Sequence, residues 1–282
     1  MTMMPTVTAP RSLPLAVRIA RVDGVFYHAP MSKRTTAPDY SRIAPMYDRA
    51  REWTAIRSDE VVAELVPARS DRKLRALEVG CGTGNYLKAQ VENGPSSVSW
   101  TGIDSSRNML VRAQAKLRNV RLVFGAVEAL PFDDGAFDYV ICRASFHHFS
   151  DKELALRELR RVIRGDGWLR IWGGHPEARR RWWVYRYFPE TVAIDESRFW
   201  GADRLFETLQ AAGFEVQVRT ESNLRMVATK SLQERARLRD LSQLALIDEE
   251  AYATGLSSLS SEPADRVVDE SGIVDLRARR LD

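Results

Sequence analysis

Three glycines in five residues, Gly80, Gly82 and Gly84, follow an apolar stretch and precede residues with helical spacing. Glycines at the end of a strand let the backbone turn sharply and approach a ligand closely. Asn85 stands where a dinucleotide fingerprint would place its third glycine. Glu78, two residues before the first glycine, would repel a pyrophosphate and attract an ammonium group. The segment therefore predicts a site for a cationic ligand and disfavours a nicotinamide dinucleotide.

Asp104 is an acidic residue at the end of the next apolar stretch, about 20 residues beyond the glycines. An acid at the carboxyl end of a second strand can bind the two hydroxyl groups of a ribose. The alternative is that Asp104 only caps a helix that starts near Ser106. The pairing with the glycine segment favours a nucleoside site.

Two adjacent histidines, His147 and His148, follow another apolar stretch at residues 137–142. Ligands of open α/β sheets bind outside the carboxyl ends of the strands, and an imidazole there can accept a proton near neutral pH. Because adjacent side chains tend to point apart, at most one should face an acceptor, and His148 is the preferred catalytic residue. The alternative is that one imidazole only packs. Two histidines without nearby acids or thiolates form a poor ligand set, so no metal is predicted.

The elements that must position these residues alternate regularly along the chain. Strands are predicted at 75–79, 98–103, 121–124, 137–142, 168–172, 214–219 and 223–229, and helices at 86–91 and 108–117. A capping box, Ser150 with Glu153, opens a further helix. Strands separated by helices predict an α/β protein. The expected fold is Rossmann-like and doubly wound, with a mostly parallel seven-stranded sheet and helices on both faces.

Residues 40–172 resemble a class I S-adenosylmethionine-dependent methyltransferase of the small-molecule type. The resemblance rests on a leader at 40–48, LEVGCGTG at 77–84, TGIDSS at 101–106 with Met109, EALPF at 128–132 and FHHF at 146–149. It implies that S-adenosyl-L-methionine is the cofactor. The residues that it assigns to cofactor binding are Tyr47, Glu78, Gly80, Cys81, Gly82, Asp104, Ser105, Met109, Ala126, Val127 and Arg143.

Ala126 departs from the family pattern. The family usually has an aspartate there, whose carboxylate holds the adenine amino group. Backbone groups near Val127 and apolar contact with Met109 are expected to hold the adenine instead. A missing hydrogen bond of this kind costs about 1 kcal/mol.

The chain organisation expected from the sequence has three parts. A flexible extension at 1–37 precedes a methyltransferase domain at 38–256, and a polar tail follows at 257–282. An aromatic insert at about 173–200 is expected to form a lid and acceptor pocket. The tryptophans in or next to it are Trp168, Trp172, Trp182, Trp183 and Trp200. Such side chains suit a flat aromatic acceptor, and the alternative is that half of them are core residues of a lid helix.

Composition narrows the class of protein further. The chain has 282 residues, 44% hydrophobic and 28% charged, with a net charge of +4. Its two cysteines exclude a disulfide scaffold and a four-thiolate zinc site. No apolar stretch reaches the roughly 20 residues of a membrane span, so a cytoplasmic location is expected.

The predicted function is methylation of a small molecule at oxygen, nitrogen or carbon. The alternatives are a non-methylating cofactor-binding protein, a cyclase on the same fold and, less favoured, an RNA methyltransferase. Membrane partners are not expected, nucleic acid is disfavoured and a homodimer is left open.

Overall fold

The strands of this protein form one sheet in the computed structural model, which describes Asp48, residues 58–67 and 72–282, and the backbone of 20–22 and 25–27. The order of the strands across the sheet is β1-β2-β5-β4-β3-β6-β7-β9-β8. Their bounds are β1 Ala20–Val22, β2 Val25–Tyr27, β3 Leu74–Val79, β4 Val98–Asp104, β5 Arg121–Phe124, β6 Phe137–Arg143, β7 Ile163–Gly174, β8 Phe214–Ala228 and β9 Arg266–Arg280.

Helices connect most of these strands. They are α1 Glu60–Leu65, α2 Asn85–Asn93, α3 Arg107–Lys116, α4 Lys152–Val162, α5 Trp183–Tyr187, α6 Glu190–Arg198, α7 Ala202–Ala211, α8 Thr229–Leu238 and α9 Glu249–Ser260. Ser106 caps α3 by accepting from the Met109 N–H at 3.4 Å. Asp151, rather than the predicted Ser150, caps α4 by accepting from the Leu154 N–H at 2.9 Å. The predicted helices therefore form, with boundaries shifted by a few residues.

Six neighbouring strands, β2, β5, β4, β3, β6 and β7, are parallel. The chain runs outward from β3 through β4 to β5, and then returns to β6 on the other side of β3. A reversal of this kind opens a crevice at the carboxyl ends of the central strands, where open α/β sheets bind ligands. The expected doubly wound, Rossmann-like fold is confirmed.

Alternate residues of the central strands pack into separate hydrophobic cores on the two faces of the sheet. On β6, Val140 contributes to the core formed with α4 and α7, while Tyr139 and Ile141 contribute to the core formed with α1, α2 and α3. Successive side chains of a strand point to opposite faces, so a strand buried on both faces is apolar throughout. This explains why the central strands could be recognised as continuous apolar stretches.

The position of β9 corrects the prediction of a polar C-terminal tail. Residues 257–260 complete α9, and β9 lies between β7 and β8, antiparallel to both. The predicted last strand at 223–229 is instead the continuation of β8. The sequence did not predict β9 because its charged residues are typical of a solvated tail. Asp275 and Arg277 are instead buried among partners from distant parts of the chain.

A buried polar network holds β9 against its neighbours. Arg170 on β7 donates to both carboxylate oxygens of Asp275, at 2.7 and 2.8 Å, and to Asp59 at 3.1 Å. Asp59 also accepts from the hydroxyls of Tyr86 and Tyr139 at 2.5 and 2.9 Å. Buried charges are tolerated when they are paired and hydrogen-bonded, so these polar residues are part of the interior of the sheet.

The aromatic insert is mostly core, which is the alternative that the sequence left open. Trp183 and Phe188 are fully buried, and Trp182 is 7% exposed. They pack with residues of α8 and α9 in a third hydrophobic core beside the sheet. Trp200 instead packs against the core that contains Phe146. The insert is thus a small helical layer with its own core.

Part of the N-terminal extension also departs from prediction. The backbone of β1 pairs with β2, and β2 lies parallel to β5 at the edge of the sheet. Six residues of the segment predicted to be flexible are therefore strand. In the described part of the chain, no helix combines the length and the apolar composition that crossing a bilayer requires.

Candidate active site

A cavity opens at the carboxyl ends of β3, β4, β5 and β6. It brings together nine of the predicted site residues, namely Gly80, Gly82, Asp104, Ser105, Met109, Ala126, Val127, Arg143 and His148. We call it the cofactor cavity. Its position is the one that the strand order requires for a ligand site in an open α/β sheet.

The glycine turn forms one wall of the cofactor cavity. Gly80 has a φ of +73°, and a Cβ atom there would lie 2.4 Å from the Cβ of Ser145. The N–H groups of Gly80 and Cys81 donate to the Ile103 carbonyl at 2.8 and 3.1 Å, which joins the turn to β4. Glycine is therefore required at position 80 both for its backbone conformation and for the close approach of Ser145.

Asp104 has its carboxylate fixed by two backbone donors. One oxygen accepts from the Gly82 N–H and the other from the Ser106 N–H, both at 2.8 Å. Burial raises the pKa of Asp104, and these two hydrogen bonds oppose the rise. Each oxygen keeps a further acceptor site. The group is thereby oriented to accept hydrogen bonds from a pair of hydroxyls in the cavity.

Glu78 is not one of the residues that line the cavity, and it is only 3% exposed. Its Oε2 atom has no hydrogen-bond partner among the described residues. Burial raises the pKa of this carboxyl well above its usual range, while the Arg143 guanidinium acts in the opposite direction. A buried acceptor without a donor fits a site that receives an ammonium group. Cys81 is also buried, and its side chain packs into the core on the α2 side.

Arg143 and Ala144 form the end of the cavity beyond β6. The Arg143 guanidinium lies over the Trp172 ring at 4.4 Å from its centroid and near the Tyr86 ring at 5.6 Å. Ala144 has a φ of +52°, which is uncommon for a residue other than glycine. Strained residues of this kind cluster at functional sites.

The two histidine rings lie against each other, with centroids 3.9 Å apart, so the expectation that the two side chains point apart is wrong; they nevertheless line different cavities. His148 lies in the wall of the cofactor cavity, whereas His147 lies in the wall of a narrower cavity that we call the slot. The His147 ring stacks on Phe199, with centroids 4.3 Å apart and planes 10° apart. Burial chiefly, and then the neighbouring His148 and arginines, hold the pKa of His147 well below its usual range.

Other wall residues were not predicted. The Glu128 carboxylate accepts from the N–H and hydroxyl of Ser150 at 2.9 and 2.8 Å, and from the Asp151 N–H at 3.3 Å. It thereby joins the short helix at Val127–Ala129 to the start of α4 across the cavity wall. The acid was visible in the sequence, but nothing there indicated its partners 22 residues away.

Tyr47 lies outside the described residues. Its neighbour Asp48 accepts from Thr83 and Asn85 at 2.7 and 2.9 Å and pairs with Lys116 at 2.7 Å. Asp48 therefore contacts the residues that follow the glycine turn.

Comparison with known proteins identifies the family. Residues 77–171 match a family model described as a methyltransferase domain. These residues form a class I S-adenosylmethionine-dependent methyltransferase domain. The methyltransferase domain therefore has S-adenosylmethionine as its cofactor, and the residues of the cofactor cavity suit it. The unpartnered oxygen of Glu78 suits a cationic group, and the remaining acceptor sites of Asp104 suit ribose hydroxyls.

Two known proteins show how far the methyltransferase similarity extends. The uncharacterized methyltransferase YcgJ of Bacillus subtilis is 29% identical over 167 residues, covering 57% of this chain and 59% of that protein. The demethylmenaquinone methyltransferase of Staphylococcus aureus is 33% identical over 133 residues, covering 45% and 55%. The chain thus spans little more than half the length of these relatives.

Two solved structures share the fold of the methyltransferase domain. The YcgJ crystal structure has a TM-score of 0.54 at 20% identity, covering 78% of this chain and 98% of that one. The [4+2]-cyclase SpnF has a TM-score of 0.53 at 22% identity, covering 86% and 93%. A methyltransferase and a cyclase therefore share this architecture, so the reaction must be argued from the site.

Replacing Glu78 with glutamine is expected to stabilise the free protein at alkaline pH. The pKa of Glu78 is raised on folding from its ordinary value of 4.5, so the wild-type protein loses stability as the pH rises from 4.5 through the raised pKa. Glutamine has no such loss. Urea unfolding should show Glu78→Gln to be more stable by about 1–3 kcal/mol at pH 8, with the gain shrinking towards pH 4.

The same substitution should weaken S-adenosylmethionine binding, because the negative charge that suits an ammonium group is lost. Glu64→Gln, at an exposed position of α1, is the matched control and should change neither property. A pH-independent difference in stability between Glu78→Gln and wild type would contradict the role of the buried charge.

Proposed function

We propose that this protein transfers a methyl group from S-adenosylmethionine to a flat aromatic small molecule. The observation that carries the proposal is the cofactor cavity, whose wall holds an oriented Asp104 carboxylate. The carboxylate oxygen of Glu78 that has no hydrogen-bond partner is buried two residues before the glycine turn. In this proposal Asp104 binds the ribose hydroxyls. Glu78 and Arg143 hold the charged groups of the methionine end.

The adenine would be held by apolar contact. Met109 and Val127 are buried residues in the wall of the cofactor cavity, and Ala126 leaves room beside them. The side chain of Ala126 offers no acceptor to the adenine amino group. Recognition at this end therefore depends on shape and on backbone groups.

The slot supplies a place for the acceptor. It shares Ala144 and Ser145 with the cofactor cavity, and Trp172, Phe199 and His147 lie in its walls. Aromatic side chains around a narrow space favour a planar ring. One relative is named a demethylmenaquinone methyltransferase, and an acceptor of quinol type would have this shape.

When bound, S-adenosylmethionine supplies an electrophilic methyl group on a sulfonium with a good leaving group. The residues of the protein then have three tasks, which are to align the acceptor, to exclude water and to receive a proton. His148, in the wall of the cofactor cavity, is the proposed base. A hydroxyl or amine acceptor gains the methyl group and gives its proton to this imidazole.

The test uses the full chain with tritiated S-adenosylmethionine and a panel of phenols, anilines and naphthohydroquinones. Label should appear in at least one planar acceptor, together with S-adenosylhomocysteine. Calorimetry should show binding of both forms of the cofactor and no binding of NAD. Cofactor binding without transfer to any member of the panel would favour a non-methylating role, and binding of NAD alone would overturn the cofactor assignment.

A further inference from the structure

β8 is an edge strand of the sheet with a long exposed segment. Among the described residues no strand pairs with its outer edge, since β8 ends the strand order. Eight consecutive residues, 219–226, are exposed, although side chains of a strand alternate between its two faces. Unpaired N–H and C=O groups along such an edge are a template for another strand, and proteins usually cover or shorten it.

An apolar patch lies on one face of this segment. Leu224 and Met226 are 51% and 50% exposed, and they lie two residues apart on β8. Val268 on β9, which is 41% exposed, is the register partner of Met226 and therefore shares that face. Three of the exposed large hydrophobic side chains of the described chain are thus neighbours at the edge of the sheet.

The hydrogen-bonding pattern restricts how β8 can pair with a copy of itself. In antiparallel sheets opposed residues are both hydrogen-bonded or both not, and the two kinds alternate along a strand. Two copies related by a twofold axis can therefore pair only with a residue opposite itself. The exposed segment can be centred on Ser222 or on Asn223.

The pairing of charged residues favours one of these two registers. Centring on Ser222 places Arg219 opposite Arg225 of the second copy, which is a repulsive arrangement. Centring on Asn223 places Glu221 opposite Arg225 of the second copy, and the twofold axis makes this pair occur twice. In that register Leu224 is also a diagonal neighbour of its own copy, which is within reach for large side chains.

We propose that two copies of this protein associate through antiparallel pairing of β8 centred on Asn223. The pairing would join the two sheets into one continuous sheet across the axis, and bury Leu224 and Met226 at the junction. None of residues 219–226 lies in the wall of the cofactor cavity or of the slot. The association is therefore independent of the proposed reaction.

Charge reversal tests the register. Glu221→Arg has arginines at both 221 and 225, and Arg225→Glu has glutamates at both. Each variant alone places like charges opposite each other twice, so its dissociation constant in sedimentation equilibrium should rise at least tenfold above that of wild type. An equimolar mixture of the two variants places opposite charges at both sites, and should form a one-to-one heterodimer.

Controls separate association from folding. Glu207→Arg makes the same charge change at an exposed position of α7 and should leave the dimer intact. Arg225 also pairs with Asp269 at 3.2 Å within the chain, so calorimetric binding of S-adenosylmethionine checks that each variant is folded. If Arg225→Glu does not fold, Leu224→Lys replaces it and should dissociate the dimer by itself.

Two results would overturn the proposal. One is a wild-type chain that stays monomeric into the high-micromolar range. The other is a dimer that persists in both charge-reversed variants or in Leu224→Lys, which would mean that a different surface is used.

Discussion

Replacing Asp104 with alanine is expected to weaken S-adenosylmethionine binding by about 10²–10³-fold. The carboxylate is held in place by the N–H groups of Gly82 and Ser106 and keeps acceptor sites for two ribose hydroxyls. Hydrogen bonds to a charged group contribute about 1.5–3 kcal/mol each, and roughly 1.4 kcal/mol corresponds to a factor of ten in affinity. The loss should be measured by calorimetry, with thermal unfolding of the free variant to show that it is folded.

Asp138→Ala is the comparison for Asp104→Ala. Asp138 is also an acid on a central strand, but it lies at the amino end of β6, is 1% exposed, pairs with Arg72 and does not line the cofactor cavity. This variant should unfold more easily and bind the cofactor nearly as well as wild type when folded. Equal losses of affinity in the two variants would mean that Asp104 acts through general stability and not by contact with the ribose.

Replacing His148 with alanine is expected to lower methyl transfer by about 10²–10⁴-fold, with cofactor affinity nearly unchanged. His148 is the histidine in the wall of the cofactor cavity, next to the residues that this cavity shares with the slot. The deficit should shrink as the pH rises, because the acceptor then ionises without help. Single-turnover rates with the best acceptor from the panel, measured across pH, give both quantities.

His147→Phe is the matched variant for this experiment. Phenylalanine keeps a ring to stack on Phe199 and removes the basic nitrogens, so the variant should retain turnover. The low pKa of His147 keeps its imidazole neutral near pH 7 and makes it a weak base. Loss of turnover in His147→Phe alone would assign the base to His147. Wild-type rates in both variants would mean that the enzyme acts through proximity and desolvation.

The sequence predicted the cofactor side of the site because that part is built from local patterns. The glycine turn and Asp104 each follow an apolar strand directly, and parallel pairing of β3 with β4 brings the ends of those strands together. Nine of the predicted residues consequently meet in one cavity. The burial of Glu78 outside the cavity wall was not predictable, because the alternation of a strand does not say which of its last residues reach the cavity.

Polar and aromatic residues account for most of what the sequence did not predict. β9 has the charged composition of a solvated tail, but Asp275 is buried and pairs with an arginine 105 positions away. That partner could not be identified from the sequence. The aromatic insert was expected to face a ligand, yet Trp183 and Phe188 pack with helices formed 40 or more residues later. In both segments the partners are distant in sequence, and composition alone does not reveal them.

The place of β9 between β7 and β8 has a consequence for the synthesis of the chain. β8 is made before β9, but its only strand neighbour among the described residues is β9, so it cannot join the sheet until residues 266–280 have been made. The strands from β3 to β7 can assemble during translation, whereas β8 waits for β9. During that interval the β7 edge is open, and open edges and exposed apolar surface make folding intermediates prone to aggregate. A pause or a premature stop within β9 should therefore sharply lower the yield of folded protein, because it leaves both β8 and the edge of β7 unpaired.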